Sequence, residues 1–390
     1  MSEAEKRKLT PSDVLKSESP LVLMATLEPI ADHDRFQPAG FPEIGHVFYK
    51  APRKDGGIEN VCIVDSAASM ANHLELVCQR GAHDLDLVEE LDGMPYIRCV
   101  TNTTDGKEPT KQREVVVTSL TEGHRIASSY FVEGTVLSGD KKAVKKNKEG
   151  KDEPFTLERD LIDKFGIVLP GSSKAHSPPD KWWNVFRTIF EFDPNALVHG
   201  VLFPQWQIKI PRALTAHLEA FGAGRVDRSG VKFDRLGKTT SGQPIFAVDD
   251  ATAETIRATF VLDVSLIRSF GRKTSNEKLG LSEKQQEFLV ALALWKIEKL
   301  LGSPFRFRSG CYLRCASLKS SEQNIEIVVD IKTAITQAAF RSEKTSDDKP
   351  YRPIVTDVFW PRDELYREGK VDEGSQASND DPNEERDENT

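Results

Sequence analysis

The stretch SEKQQEFLVALALWKIEKLLG (282–302) constrains the fold more than any other, because its middle is apolar on every side. Ser282 and Gln285 form a capping-box pattern at its start and Gly302 stands at its stop, which predicts a long helix. A helix with no polar face must be surrounded, and a chain of 390 residues has enough material to surround it. The surrounding segments read largely as strands. LVLMATLEPI (21–30) is a buried first strand, and VFYKAP, NVCIV, YIRCVTNT, EVVVTSL and RIASSYFVEGTVL follow. TFVLDVSLIR (259–268) alternates Phe260, Leu262, Val264 and Leu266 on one face and is predicted as a further strand.

Helical patterns interleave with these runs. A helix start is offered at Thr10–Asp13, and Asp65 or Ser66 caps a second helix over 66–79. In that helix Ala67, Met70, Ala71, Leu74 and Val77 form a packing face, while Ser69, Asn72 and His73 share the opposite, hydrogen-bonding side. TLERDLIDKF, DKWWNVFRTIFE and PRALTAHLEAFG are also predicted helical, the last because Pro211 takes a favoured first-turn position and Gly222 a stop. NIEIVVDI and KTAITQAAF add a late strand and helix. Irregular alternation of this kind predicts an α+β fold. Residues 1–20 are expected to be a flexible polar lead-in, 21–345 one domain with insertions near 138–155 and 223–243, 346–371 a C-terminal extension, and 372–390 a disordered acidic tail.

That tail matters for charge. The chain carries a formal −8, and residues 372–390 hold eight acids and one base, so the remainder is nearly neutral and free to segregate basic surface. No run of 18 apolar residues exists for a membrane span, and the N-terminus lacks the apolar stretch of a secretory signal, so a cytoplasmic protein is expected. The five cysteines are scattered without a C-x-x-C pair, which argues against disulfides or structural zinc and for reduced, mostly buried thiols.

FRFRSGCYLRC (305–315) is the strongest nucleic-acid signal. Strand periodicity puts Arg306, Arg308, Tyr312 and Arg314 on one face and Phe305, Phe307, Cys311 and Leu313 on the other. Guanidiniums and a phenol ring on one sheet face suit a phosphate backbone with unstacked bases; a solvated strand face paired with acids is the alternative, and Gly310 could host a bulge that breaks the alternation. KKAVKKNKEGK (141–151) either grips phosphate or is a solvated loop, and its composition favours the loop. Enzyme motifs fail. GKTT (237–240) lacks the required upstream glycine, since Lys232 stands there, and GAGRVD lacks the third glycine of a dinucleotide fingerprint. His33 with Asp32 and Asp34, and His83 with Asp84 and Asp86, lack a helical ligand pair. His124–Arg125 and His199–Gly200 sit in apolar runs and read as buried, satisfied groups rather than catalysts.

RFQPAGFPEIGHVFY, followed by VDSAASMANHLE, is similar to the signature of the type I-G (formerly I-U) CRISPR-associated backbone proteins of the RAMP superfamily. HRIASSYFVEG, DPNALVHGVLF, PRALTAHLEA and FRSGCYL resemble the same family in the same order, so the likeness spans roughly residues 20–330. The resemblance implies an RRM-like (ferredoxin-like) core enlarged by insertions into a palm, fingers and thumb, with 223–243 and then the lysine-rich 138–151 as thumb candidates. It implies a Cascade subunit in antiviral defence whose copies assemble head to tail along a CRISPR guide RNA, beside other effector subunits, and present it to target DNA. It implies no catalytic residue, metal or cofactor of its own. The candidate RNA contacts are Arg35, Phe36, Gln37, Phe41, Ser69, Asn72, His73, Arg125, Arg212, Arg306, Arg308, Tyr312 and Arg314, with Phe36 and Phe41 either stacking on bases or anchoring their loop in the core. RNA-cutting relatives use an aspartate after the first strand, so a metal-dependent ribonuclease using Asp32 or Asp34 is the alternative.

Overall fold

A computed structural model describes residues 6–17, 20–30, 33–41, 44–146, 150–168, 181–226, 250–273, 278–340 and 354–366. The expected tail at 372–390, most of the 223–243 insertion, and Asp32 lie outside the described residues. The fold is mixed α+β.

The predicted long helix spans Glu283–Leu301, and both halves of its capping box form between Ser282 and Gln285. Its middle, from Phe288 to Ile297, is buried on all sides, as an apolar girth requires. Around it packs a nine-stranded sheet. Eight strands run in the order Arg7–Leu9, Gln323–Ile327, Cys311–Ser320, Leu21–Pro29, Thr255–Leu262, Leu214–Phe221, Ile58–Asp65 and Phe48–Pro52, while Phe305–Arg308 pairs with Cys311–Ser320 off this path. All these pairings are antiparallel except Arg7–Leu9 with Gln323–Ile327. Leu23, Ala25 and Leu27, Leu214, Ala216, Leu218 and Ala220, and Ile256, Ala258, Phe260 and Leu262 point to the helix-covered side and are buried. Their alternating neighbours (Met24, Thr26, His217, Glu219, Arg257, Thr259) are half-buried or exposed, so the opposite face is open. A second sheet runs Arg113–Thr118, Tyr96–Asn102, Val355–Phe359, Thr135–Ser138, Lys141–Lys142.

Four predicted elements come out differently. PRALTAHLEAFG forms the central strand Leu214–Phe221 instead of a helix. Its alternating buried side chains suit a strand flanked on both sides by partners, and that context outweighs the helical propensity of Ala, Leu and Glu. The strand read over 259–268 stops at Leu262, where the Asp263 carboxylate accepts the Leu266 N–H at 2.9 Å and caps a helix over Val264–Ser269. RIASSYFVEGTVL is a 3₁₀ turn at Arg125–Ala127 and a short helix at Ser129–Val132 before the strand Thr135–Ser138. FRFRSGCYLRC is a hairpin rather than one strand, with Gly310 at φ +76° in its turn and a register shift between Arg306 and Arg308. Cys62, Cys78, Cys99 and Cys311 are buried free thiols, and burial pushes the Cys62 and Cys311 thiols up to about 12.

Candidate nucleic-acid interface

The RFQPAGF loop is held by backbone. Phe36 exchanges two hydrogen bonds with Ala251 at 2.9 and 2.7 Å, the Gln37 N–H donates to the Gly310 carbonyl at 2.9 Å, and the Ala39 N–H donates to that of Val64 at 3.0 Å. The loop therefore ties together the Asp250–Thr252 strand, the hairpin turn and the end of strand Ile58–Asp65. Gly310 is needed twice over, for its positive φ and because an added Cβ would stand 3.1 Å from the Gln37 Cβ. Phe36 is 2% exposed and belongs to the core, which corrects its candidacy as a stacking platform. Phe41 is half-buried, beside the turn to Gly45–His46.

Asp65 is the charge centre of the site. It is buried, and its carboxylate accepts from Ser66 N–H at 3.0 Å, Ser69 Oγ at 3.0 Å and Arg308 Nη2 at 2.6 Å. His73 Nε2 lies 2.9 Å from the same carboxylate, and its ring is edge-on to Phe305 and Phe307 at 5.2 and 5.3 Å. Arg308 spends its other nitrogen on the Val64 and Gln37 carbonyls. It thus turns inward at the bulge and fastens the hairpin to the end of strand Ile58–Asp65, from which Asp65 reaches the helix Ala67–Leu76 through Ser69 and His73, instead of sharing the outer face with Arg306. Ser69 and His73 are likewise engaged by Asp65, and Asn72 on the same helix is exposed.

What the site offers outward is the hairpin face. Arg306 and Tyr312 are cross-strand partners, the guanidinium lies 5.7 Å from the ring centre, and Arg306 Nη2 donates to Ser309 Oγ at 2.8 Å. Arg314 is exposed on the same face, 3.4 Å from Glu28. Arg35 is exposed beside Asp250 at 3.9 Å. Arg212 is exposed but lies at the start of strand Leu214–Phe221, next to Gly200, away from this cluster.

Arg125 is a second correction. It is 5% exposed, and its guanidinium grips Glu75 with two bonds of 2.8 Å and donates to the Gly200 carbonyl at 3.1 Å. Glu75 sits on the site helix and also accepts from Asn195 Nδ2 at 2.6 Å. Asn195 in turn receives Lys296 of the long helix, whose Nζ is 3.0 Å from His199 Nε2. This buried set of groups fixes the site helix to the core. Burial and the neighbouring cations hold His199 well below its usual range, and burial pushes Asp193 up to about 7.

The open sheet face carries residues that the helical reading of 211–222 concealed. The guanidiniums of Arg257 and Arg53 lie 4.2 and 5.2 Å from the ring centre of Phe221, and Tyr49 donates to Glu219 at 2.8 Å. Period-two reading of LTAHLEAF would have put His217, Glu219 and Phe221 on one outward face.

The model of the family described as CRISPR-associated protein GSU0053 (Cas_GSU0053) matches residues 21–225, just over half of the chain. This chain belongs to that family. The GSU0053-family match covers the RFQPAGF loop, the Asp65 helix and the Arg125 turn, and stops before the hairpin. Among curated proteins none matches. A crystal structure of Thermofilum pendens Csc2 aligns with 12% identity and a TM-score of 0.28, covering 88% of this chain and 77% of that one.

Proposed function

We propose that this chain is a non-enzymatic backbone subunit of a type I-G CRISPR effector complex, with copies assembling head to tail along a guide RNA and presenting it to target DNA beside other subunits. In this reading the large sheet, helix-covered on one side, is an RRM-like palm, and the 223–243 insertion is the thumb. Its described root supports that placement, because strand Gly224–Val226 pairs with Asp250–Thr252, the strand on which Phe36 docks. Among the described residues no helix is long and apolar enough to cross a membrane, and a cytoplasmic location suits the role.

The observation that carries the reading is the exposed Arg306–Tyr312–Arg314 face of a hairpin that Arg308 and Asp65 lock to the site helix. A base can stack on Tyr312 while the guanidiniums meet phosphates, and the rigid mount below avoids an ordering cost on binding. Asp34 is exposed and its carbonyl accepts Thr252 Oγ1 at 2.8 Å, a loop-fixing contact.

The test is binding of guide RNA by purified protein across a salt series. Arg306→Ala with Arg314→Ala should weaken binding and flatten the salt dependence by about 0.7 in log–log slope per lost phosphate contact. An unchanged affinity and slope would remove the hairpin from the site. Mg²⁺- or Mn²⁺-dependent cutting of complementary RNA, abolished by Asp32→Ala or Asp34→Ala, would overturn the non-enzymatic reading.

A further inference from the structure

The hairpin face does not end at the hairpin. Arg314 is the cross-strand partner of Glu28, so it and Tyr312 stand on the open side of the large sheet together with the row Thr26, Arg257 and Glu219. Three strands along from Arg314, about 14 Å at ordinary strand spacing, Phe221 projects from the same side. Val61 lies opposite Phe221, and the exposed Tyr49 lies opposite Val61. Arg257 is directly across from Glu219, yet it makes no salt bridge among the described residues, and its Nε is buried without a hydrogen-bond partner. Its guanidinium is 4.2 Å from the centre of the Phe221 ring, while the Tyr49 hydroxyl takes the Glu219 carboxylate at 2.8 Å. Burial and that carboxylate push the Tyr49 phenol up to about 12, so it stays a neutral donor. Arg53, the second cation near the ring, pairs with Glu59, and exposed Glu254 borders the patch beyond Gly222. The patch therefore offers planar faces more than net charge.

We infer that this patch is a second contact for the single-stranded RNA held at the hairpin, where one unpaired base stacks on the Phe221–Arg257 pair beside the Tyr49 ring; the inference rests on the proposed RNA-binding role. Every base has a π-face, and rings and guanidinium planes both accept it whatever the sequence. Continuity with the hairpin face favours RNA as the occupant. A strand anchored at Tyr312 brings its neighbouring bases to the patch at high effective concentration, so a contact too weak to hold RNA alone adds to the whole. A protein partner would find little to bury there besides Phe221, because the apolar pair Val22 and Val261 lies two rows further along the strands from Thr26 and Arg257.

Ultraviolet cross-linking of the full chain to single-stranded RNA carrying 5-iodouridine, with adducts mapped by mass spectrometry, tests it. Adducts should fall on Tyr312 and also on Phe221 or Tyr49. Phe221→Leu should lower affinity roughly tenfold and remove the second set of adducts while sparing those on Tyr312. Arg257→Lys keeps the charge and loses the plane, so it should weaken binding several-fold at an unchanged salt slope, whereas Arg257→Gln should also flatten the slope. If these variants lower the denaturation midpoint and leave the RNA readouts unmoved, the patch only braces the sheet and the inference is overturned. Adducts on Tyr312 alone overturn it too, with the hairpin reading intact. Adducts on the patch with a silent Tyr312 would uphold this contact and remove the hairpin from the site. No adducts and no binding would sink both. Shielding of the patch that appears only when several copies line up on one RNA would assign the face to a neighbouring subunit, and that also overturns the inference.

Discussion

Two aromatic residues separate packing from binding. Phe36 is buried beneath its loop and Tyr312 is 40% exposed on the hairpin, so their truncations should part cleanly. Phe36→Ala should cost about 3–5 kcal/mol of stability through the cavity it leaves, visible as a lower denaturation midpoint. Tyr312→Ala should leave that midpoint within about 0.5 kcal/mol and lower RNA affinity roughly tenfold, as loss of one stacked base predicts. A Tyr312 variant that unfolds early but binds normally would invert the assignment. The sequence could place both residues in the right neighbourhood without telling these roles apart. Phe36 is buried by Ala251, a partner 215 positions away, and no local pattern announces that bridge. Arg306, Tyr312 and Arg314 were legible because alternation survives a hairpin turn. Arg308 was not, because the bulge that turns it toward Asp65 depends on the conformation at Gly310.

At the scale of elements, the long helix, its capping box and the site helix could be read directly, since each carries its own start signal and period. The strand Leu214–Phe221 could not, because its composition favours a helix and only its two neighbouring strands decide otherwise. What joins these elements is the buried ionisable set around Glu75, Arg125 and Lys296, with Asp193 fully buried beside it. The Asp193 carboxyl is raised to about 7 by burial, so the folded chain keeps a proton that the unfolded chain gives up near pH 4. Stability from this group is therefore present in acid and is lost as pH climbs toward about 7. His199 works in the opposite direction. Held neutral in the fold, it contributes stability above about pH 6.5 that is lost as the unfolded chain protonates below it. Asp193→Asn, which keeps an acceptor for the Ile126 N–H, should raise stability by roughly 2–4 kcal/mol at pH 8 and by little at pH 4. Denaturation curves at the two pH values check this, and an equal effect at both would show that Asp193 is ionised in the folded chain.

At the scale of the whole molecule, a sheet buried on one face and open on the other has surface to spare. Its rows (Lys319, Met24, Thr259, His217, and next to them Ser317, Thr26, Arg257, Glu219) are mixed in charge and polarity rather than uniformly apolar. Such a face does not drive a permanent dimer by hydrophobic burial alone, so assembly should need the nucleic acid. A head-to-tail contact uses two different patches and does not close on itself, leaving the number of copies to be set by whatever they line up on. The protein alone should then be monomeric at micromolar concentration, and adding guide RNA should give particles whose mass steps up with RNA length. Mass photometry on two guides, one twice the length of the other, measures this directly. Doubling the length should roughly double the number of bound copies, and Arg306→Ala with Arg314→Ala should reduce occupancy on both without producing free oligomers. A fixed mass regardless of RNA length would mean a closed assembly, and the backbone role would have to be abandoned even if the hairpin face still bound RNA.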